Sequence, residues 1–273
     1  MKGLDHLVLA VHDLDAAVEQ YKSLGFTVTP RAKHPFGTHN CLIQLDGFFL
    51  EILTIGEPEK LPKLEQGTFS FPNFNKQYLE NQQGPSMLVM DTDDFRADKI
   101  QAEKDGLQSW PVFEFSRQTT LPTGDTATVS FGLNFITNPQ MPNAAFFTCQ
   151  QFAPQYFWKK DYQTHINTAK QISEITLVSD TPHNQLDFLC KFSQSTQFTT
   201  NENSIIIHTS RGNIACRTPA DFEIVYGQPA AQHPSGPQIG GFIVEVADIS
   251  KAKTATSTIC GAAIKFIQKD ITQ

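Results

Sequence analysis

Apolar positions set the rhythm from the first residues. The run from His6 to Val11 is short and almost wholly apolar and is followed by His12-Asp13-Leu14, a pattern that predicts a buried strand running into a helix capped by Asp13. Leu14, Ala17, Val18, Tyr21 and Leu24 then recur at helical spacing, and Gly25 stands where a left-handed residue would end the helix. Three strand-like stretches follow at 26–29, 39–45 and 48–55, with Asp46-Gly47 as a tight hairpin between the last two. The unit reads βαβββ.

The unit repeats. A gapless shift of 81 residues lays Met87 to Met90 over His6 to Leu9, Asp94-Phe95 over Asp13-Leu14 and Gly106-Leu107 over Gly25-Phe26, which predicts further strands at 112–117, 126–136 and 144–150. A third copy opens at Glu174, continues through a helix with Pro182 in its first turn, and is expected to close in a strand at 222–227, whose Phe-Glu-Ile-Val echoes Leu50-Glu51-Ile52-Leu53. A fourth opens at Phe242, caps a helix at Asp248 and is cut short after Gly261. The expected organisation is a pair of modules at 1–152, an aromatic connection at 153–172 that holds Tyr156, Phe157, Trp158 and His165, and a third module with a truncated fourth at 173–273. The polar stretch 56–84 reads as a second long connection, either lying over a cleft or solvated. The fold class is α+β, with repeated βαβββ modules forming curved mixed sheets.

Composition narrows the partners. A net charge of −7 with scattered Lys and Arg argues against nucleic acid, which draws its affinity from clustered cations. The apolar stretch at 7–11 is too short for a membrane span or a signal core, so no membrane contact and a cytoplasmic location are expected. Five widely spaced cysteines without a CxxC fit reduced thiols. No phosphate-binding loop, dinucleotide fingerprint or GxSxG elbow occurs in a fitting context. The 22 phenylalanines point to aromatic-lined interior surfaces and to a small-molecule ligand or substrate.

The stretches Asp5-His6-Leu7-Val8-Leu9-Ala10-Val11, Leu24-Gly25-Phe26, Gly37-Thr38-His39-Asn40-Cys41 and Phe49-Leu50-Glu51-Ile52-Leu53 together resemble the glyoxalase-like family of the vicinal-oxygen-chelate superfamily. That resemblance implies sheets curved around a cleft with helices outside and a metal or small ligand within. Its members include glyoxalases, extradiol dioxygenases, epimerases and antibiotic-binding proteins, so it implies no single reaction. In metal-bearing members the ligands sit on the first and fourth strands of a module, and the matching positions here are His6 and Glu51.

Alternation sets Leu7, Leu9 and Val11 against the helix and turns His6 and Val8 to the cleft, while Phe49, Glu51 and Leu53 share one face of the fourth strand. His6 and Glu51 are therefore the candidate catalytic pair and half of a site for Zn, Fe, Mn, Ni or Co, with His39 and His165 as candidate further ligands. The alternative is that His6 and Glu51 bond each other or an arginine. Module two offers Met87 opposite His6 in the repeat and Thr148 or Cys149 opposite Glu51; module three offers Glu174 and Glu223. His12, His34, His183, His208 and His233 carry no assignment. Arg31 and Lys33 stand near a strand entrance, placed either to meet an anionic group or to face solvent. Two functions follow: a metal-dependent lyase, isomerase or dioxygenase, or a non-catalytic protein that binds an aromatic or antibiotic-like compound. Open strand edges leave room for a homodimer.

Overall fold

Strand β1 (Leu4–Ala10) is buried along its whole length in the computed structural model, which describes residues 1–120, 124, 126–231 and 236–269. Leu7 and Leu9 turn toward helix α1 (Leu14–Ser23) and Val8 turns the other way, as a two-residue period requires. Asp13 caps α1 by accepting from the Ala16 amide, and Gly25, at φ +89°, takes the chain out of it. The chain returns through β2 (Ala32–Lys33), β3 (Thr38–Leu45) and β4 (Phe48–Ile55), and β4 lies parallel to β1. The expected strand at 26–29 does not form a ladder. Only Thr29 is tied to Leu42, through its amide and its hydroxyl, and Pro30, without an N–H, stops the pairing there.

The second module supplies β5 (Gly84–Asp91), α3 (Phe95–Lys104), β6 (Gln108–Ser109), β7 (Phe113–Thr120), β8 (Thr126–Thr137) and β9 (Ala145–Gln151). Because β5 runs antiparallel beside β1, the two modules share one sheet in the order β2-β3-β4-β1-β5-β9-β8-β6, with β7 on β8. Gly132 lets α3 approach closely, since a Cβ there would strike the Phe95 ring. Aromatic contacts draw the far ends of this sheet together: Phe36, past β2, meets Phe113 and Phe115 of β7 at ring-centre distances of 5.7 and 5.3 Å. One face is thereby concave.

The stretch at 56–84 is not plain loop. Ser70 caps helix α2 (Phe71–Asn81), and Phe71 packs down onto Phe135 and Phe147 on the concave face. The connection at 153–172 crosses the same face: a short helix α4 (Pro154–Phe157) buries Phe157 against Phe49 and Phe131. Gln44 of β3 holds it by donating to the Phe157 carbonyl at 2.9 Å and accepting from the Lys159 amide at 3.0 Å.

A second sheet contains β10 (Ala169–Val178), β11 (Phe198–Asn201), β12 (Ser204–His208), β13 (Asn213–Arg217), β14 (Gln238–Val246), β15 (Thr256–Ile259) and β16 (Ala262–Gln268), in the order β11-β12-β13-β10-β14-β16-β15. Helices α1 and α5 (Leu186–Ser193) belong to the main core between the sheets, where Phe146 meets Phe188 and Phe192, and Phe26 meets Phe266. Arg211 ties the halves by donating to the Leu4 and Gly47 carbonyls at 2.8 Å and to the Asp91 carboxylate at 3.0 Å. Among the described residues no helix is long and apolar enough to cross a membrane.

The closing strand expected at 222–227 is instead helix α6 (Pro219–Tyr226), capped by Thr218, and the parallel partner of β10 is β13. Phe222 and Tyr226, four apart, are both fully buried on one helical face, a spacing that suits α better than β. Helix α6 thus fills the hollow of the second sheet. Glu174, the counterpart of His6, does not face a second carboxylate: Arg217 donates to both its oxygens at 2.9 Å, and Tyr226 bonds Thr176 at 2.8 Å. The fourth copy has no long helix either, because Asp248 caps only the turn Ile249–Lys251 before β15 and β16 complete the sheet.

Arg217 and Glu174 are both buried, so removing one partner strands a charge. Arg217→Met is expected to lower the unfolding free energy by about 3 kcal/mol, and adding Glu174→Leu to recover at least half of that. Urea unfolding of the wild type, single and double variants measures it; equal losses in single and double would show that the pair is not coupled.

Candidate functional site

The concave face of the first sheet encloses a cavity with about 50 Å³ open to the centre of a water molecule. Its wall is mostly phenyl rings, including Phe49, Phe131, Phe147 and Phe157. Five polar side chains interrupt it: His6 of β1, His34 and Asn40 from the β2–β3 hairpin, Glu51 of β4 and Arg117 of β7. The structure therefore brings His6 and Glu51 to one hollow, as their strand faces predict. Parallel pairing of β1 and β4 sets Phe49 beside His6 and Glu51 beside Val8. The His6 ring lies flat on Phe49, with centroids 4.2 Å apart.

His6 Nδ1 meets Asp5 Oδ2 at 2.6 Å, and Nε2 lies 3.8 Å from Glu51 Oε2. Glu51 Oε1 accepts from Asn40 Nδ2 at 2.6 Å and lies 3.9 Å from His34 Nε2. Both histidine separations are too long for a direct hydrogen bond. Burial pushes the Glu51 carboxyl above the ordinary carboxylate range, against the opposing pull of His6, Asn40 and Arg117. Burial also pushes His34 down to about 3, helped by the nearby charges of Arg117, His39 and His6, so His34 is neutral near pH 7. Burial lowers Arg117 as well, which marks a guanidinium short of solvation, and among the described residues its Nε has no hydrogen-bond partner. Cys149 shares the cavity, but burial holds its thiol well above the usual range, which suits a packing role rather than a nucleophile.

His39 and His165 lie elsewhere. Alternation along β3 turns Asn40 and Leu42 to the cavity and Cys41 and Ile43 to the main core, and His39 goes with the latter. Its ring fits over Gly56, where any Cβ would overlap it, and Nε2 meets Glu57 at 3.2 Å. His165 spends both ring nitrogens on backbone: Nδ1 accepts from the Thr27 amide at 3.0 Å and Nε2 donates to the Gln44 carbonyl at 2.8 Å. By strand register the second-module counterpart of Glu51 is Phe147, not Thr148 or Cys149. Its third-module counterpart is Ala215 rather than Glu223, which belongs to α6. His233 lies outside the described residues. Phe49, Phe147 and Phe157 line the cavity, Trp158 lines the groove beside it, and Phe146 points into the core between the sheets.

Asn40, Arg117 and His34 carried no assignment from sequence. Arg117 follows Phe113 and Phe115 at strand period on the phenyl-lined face, a signal the alternation held. His34 sits in a turn closed by its own amide on the Thr38 carbonyl at 2.8 Å, with Nδ1 on the Thr38 hydroxyl at 2.8 Å. Periodicity does not reach a turn.

The fit of a divalent metal is tested by these donors. Met87 and Phe147 replace ligands in the second module, Glu51 Oε1 is engaged by Asn40, and among the described residues no three His, Cys, Asp or Glu side chains are grouped to hold an ion. The donor set does not fit the metal site that the fold family implies.

Paired βαβββ modules sharing one curved sheet, with a buried His and Glu from the first and fourth strands, define a protein of the vicinal-oxygen-chelate type. A family model described as glyoxalase-like domain matches residues 4–189, and the chain belongs to that family. Among solved structures, a hypothetical protein from Staphylococcus aureus is similar at 16% identity and a TM-score of 0.73, covering 98% of this chain and 100% of its own. A mutant 4-hydroxymandelate synthase from Streptomyces coelicolor is similar at 11% identity and a TM-score of 0.50, covering 92% and 73%. At these identities the likeness is one of fold. No curated protein matches the sequence.

The two buried titrations oppose each other. A depressed His34 contributes stability that is complete above about 6.5, its unfolded value, and is lost as pH falls toward about 3. A raised Glu51 contributes stability at acid pH that is lost as pH rises through its folded pKa. His34→Gln is therefore expected to flatten the fall in stability between pH 7 and pH 4 by on the order of 3 kcal/mol, and Glu51→Gln to match or exceed the wild type at pH 8. Denaturant unfolding at several pH values measures both.

Proposed function

We propose that the chain binds a compact small molecule in the cavity and moves a proton on it, with Glu51 as general base and His6 beside it, in an isomerase- or lyase-type reaction that needs no divalent metal. The observation that carries this reading is a buried carboxyl with a raised proton affinity, 3.8 Å from Nε2 of an imidazole whose Nδ1 is held by Asp5, in a hollow that also holds a desolvated guanidinium.

In this reading the Glu51 carboxylate takes a proton from the carbon beside a substrate carbonyl. The C–H electron pair becomes the C=C of an enolate, and the negative charge gathers on the carbonyl oxygen toward Arg117. Glu51 then returns the proton to the same carbon or, where His6 Nε2 has taken the proton of an adjacent hydroxyl and handed it to the enolate oxygen, to the former carbonyl carbon, so atoms balance without an oxidant. His6 Nε2 accepts a hydrogen bond from a substrate hydroxyl. The phenyl wall strengthens these interactions by excluding water. Ring-cleaving oxygenation calls for a redox metal held by a grouped donor set, which the donors among the described residues do not form.

Deuterium exchange in D2O, followed by proton NMR over a panel of short hydroxyketones and 2-oxo acids, tests the reading. Wild-type protein is expected to wash out the proton next to the carbonyl of at least one compound, equally with and without EDTA, and Glu51→Gln to slow this at least 100-fold. Exchange that stops in EDTA and returns with added Mn, Fe, Zn, Ni or Co would restore the metal-dependent reading. No exchange across the panel would remove proton transfer.

A further inference from the structure

The cavity does not end at solvent. Leu42, Arg117 and Phe157 line both it and a groove of about 1060 Å³ between the β2 end of the sheet, the β7–β8 ribbon and the connection that carries α4. The cavity alone holds a head of only a few heavy atoms, whereas the groove is of ligand size. Its charge is against the trend of the molecule: among the described residues Arg31, Lys33, Arg117, Lys159 and Lys160 line it with Asp161 as the one carboxylate, in a chain of net charge −7. Arg31 and Lys33 have acidic partners in Asp15 and Glu57, at 2.6 and 3.5 Å, both outside the groove lining. Between the cations stand Tyr156, Trp158 and Tyr162, with Tyr156 38% exposed. Cations interleaved with accessible aromatic faces are the chemistry that holds a ring bearing a negative group.

We infer that the ligand is an amphipathic anion, with its compact reacting head in the cavity and a ring carrying a carboxylate or phosphate in the groove, and that Lys33 and Lys160 select it by charge. Arg117, common to both spaces, meets the junction of head and tail. The inference names the substrate class for the proton-transfer site and so rests on that reading, but binding in the groove does not need Glu51 and is measured separately.

The probes are 2-naphthyl phosphate, 2-naphthoate and the uncharged 2-naphthol, titrated against the full chain by calorimetry and by quenching of Trp158 fluorescence. Both anions are expected to bind at least ten-fold more tightly than naphthol at 50 mM salt and to lose about ten-fold by 500 mM. The double variant Lys33→Glu with Lys160→Glu, both side chains exposed, is expected to lose anion binding while leaving naphthol binding and the melting temperature unchanged, and Glu51→Gln to bind all three as the wild type does. Phosphate favoured over carboxylate, or the reverse, identifies the anion. Equal binding of naphthol and the anions, or anion binding untouched by the charge reversal, would overturn the inference even if Glu51-dependent exchange is found. Anion binding without any exchange would instead retain the groove and remove the proton-transfer reading.

Discussion

Parallel pairing of β1 with β4 is the constraint from which the site follows. Two parallel neighbours present the same face at matched positions, so an imidazole at His6 and a carboxylate two residues past its partner Phe49 project into the same hollow. The antiparallel seam between β1 and β5 then joins a second module to the first and gives the hollow its far wall. Neither pairing is local. The aromatic contacts of Phe36 with Phe113 and Phe115 convert the flat consequence of those pairings into a curved one.

The same device recurs in the second sheet, and its residues differ where it matters. At the His6 position stand Glu174 and, in the fourth copy, Gly241; at the Glu51 position stand Ala215 and Lys265. Glu174 is neutralised by Arg217, and α6 occupies the volume that a ligand would need. A buried carboxylate without a partner costs several kcal/mol, so each copy had to answer its own acid: the third with an arginine and a helix over it, the first with Asn40, two imidazoles and a guanidinium left partly unsatisfied. Full satisfaction makes a structural core. Partial satisfaction leaves groups free to act on a guest.

What the sequence made legible was periodic. The faces of β1 and β4, the Asp13 cap, the exit at Gly25 and the 81-residue repeat follow from side-chain alternation and turn chemistry acting over a few residues, and with them the convergence of His6 and Glu51. Elements decided by distant packing were not legible. A run such as Phe-Glu-Ile-Val-Tyr suits a buried strand and a buried helix alike, and only the Thr218-Pro219 start ahead of it spoke for α6. The Ser70 cap ahead of Pro72 announced α2 in the same way within a polar stretch. His165 and His39 show the limit for single residues: a histidine's role depends on what its nitrogens meet, and Gln44 and Glu57 are chosen by tertiary contact, not by spacing.

Why the cavity is so small is a question of the same kind. The phenyl rings that line it come from both modules, from α2 and from α4, so four separate chain segments spend apolar area on enclosing Glu51. Burial on that scale contributes to the fold through the hydrophobic effect and at the same time raises the proton affinity of the carboxyl that it surrounds. Stability and reactivity therefore draw on one arrangement. Enlarging the hollow by trimming a ring would admit water, lower the proton affinity of Glu51 and weaken the core together, so the space for the bulk of a ligand has to lie outside the ring of phenylalanines. The groove beyond Arg117 and Phe157 is where the fold leaves it.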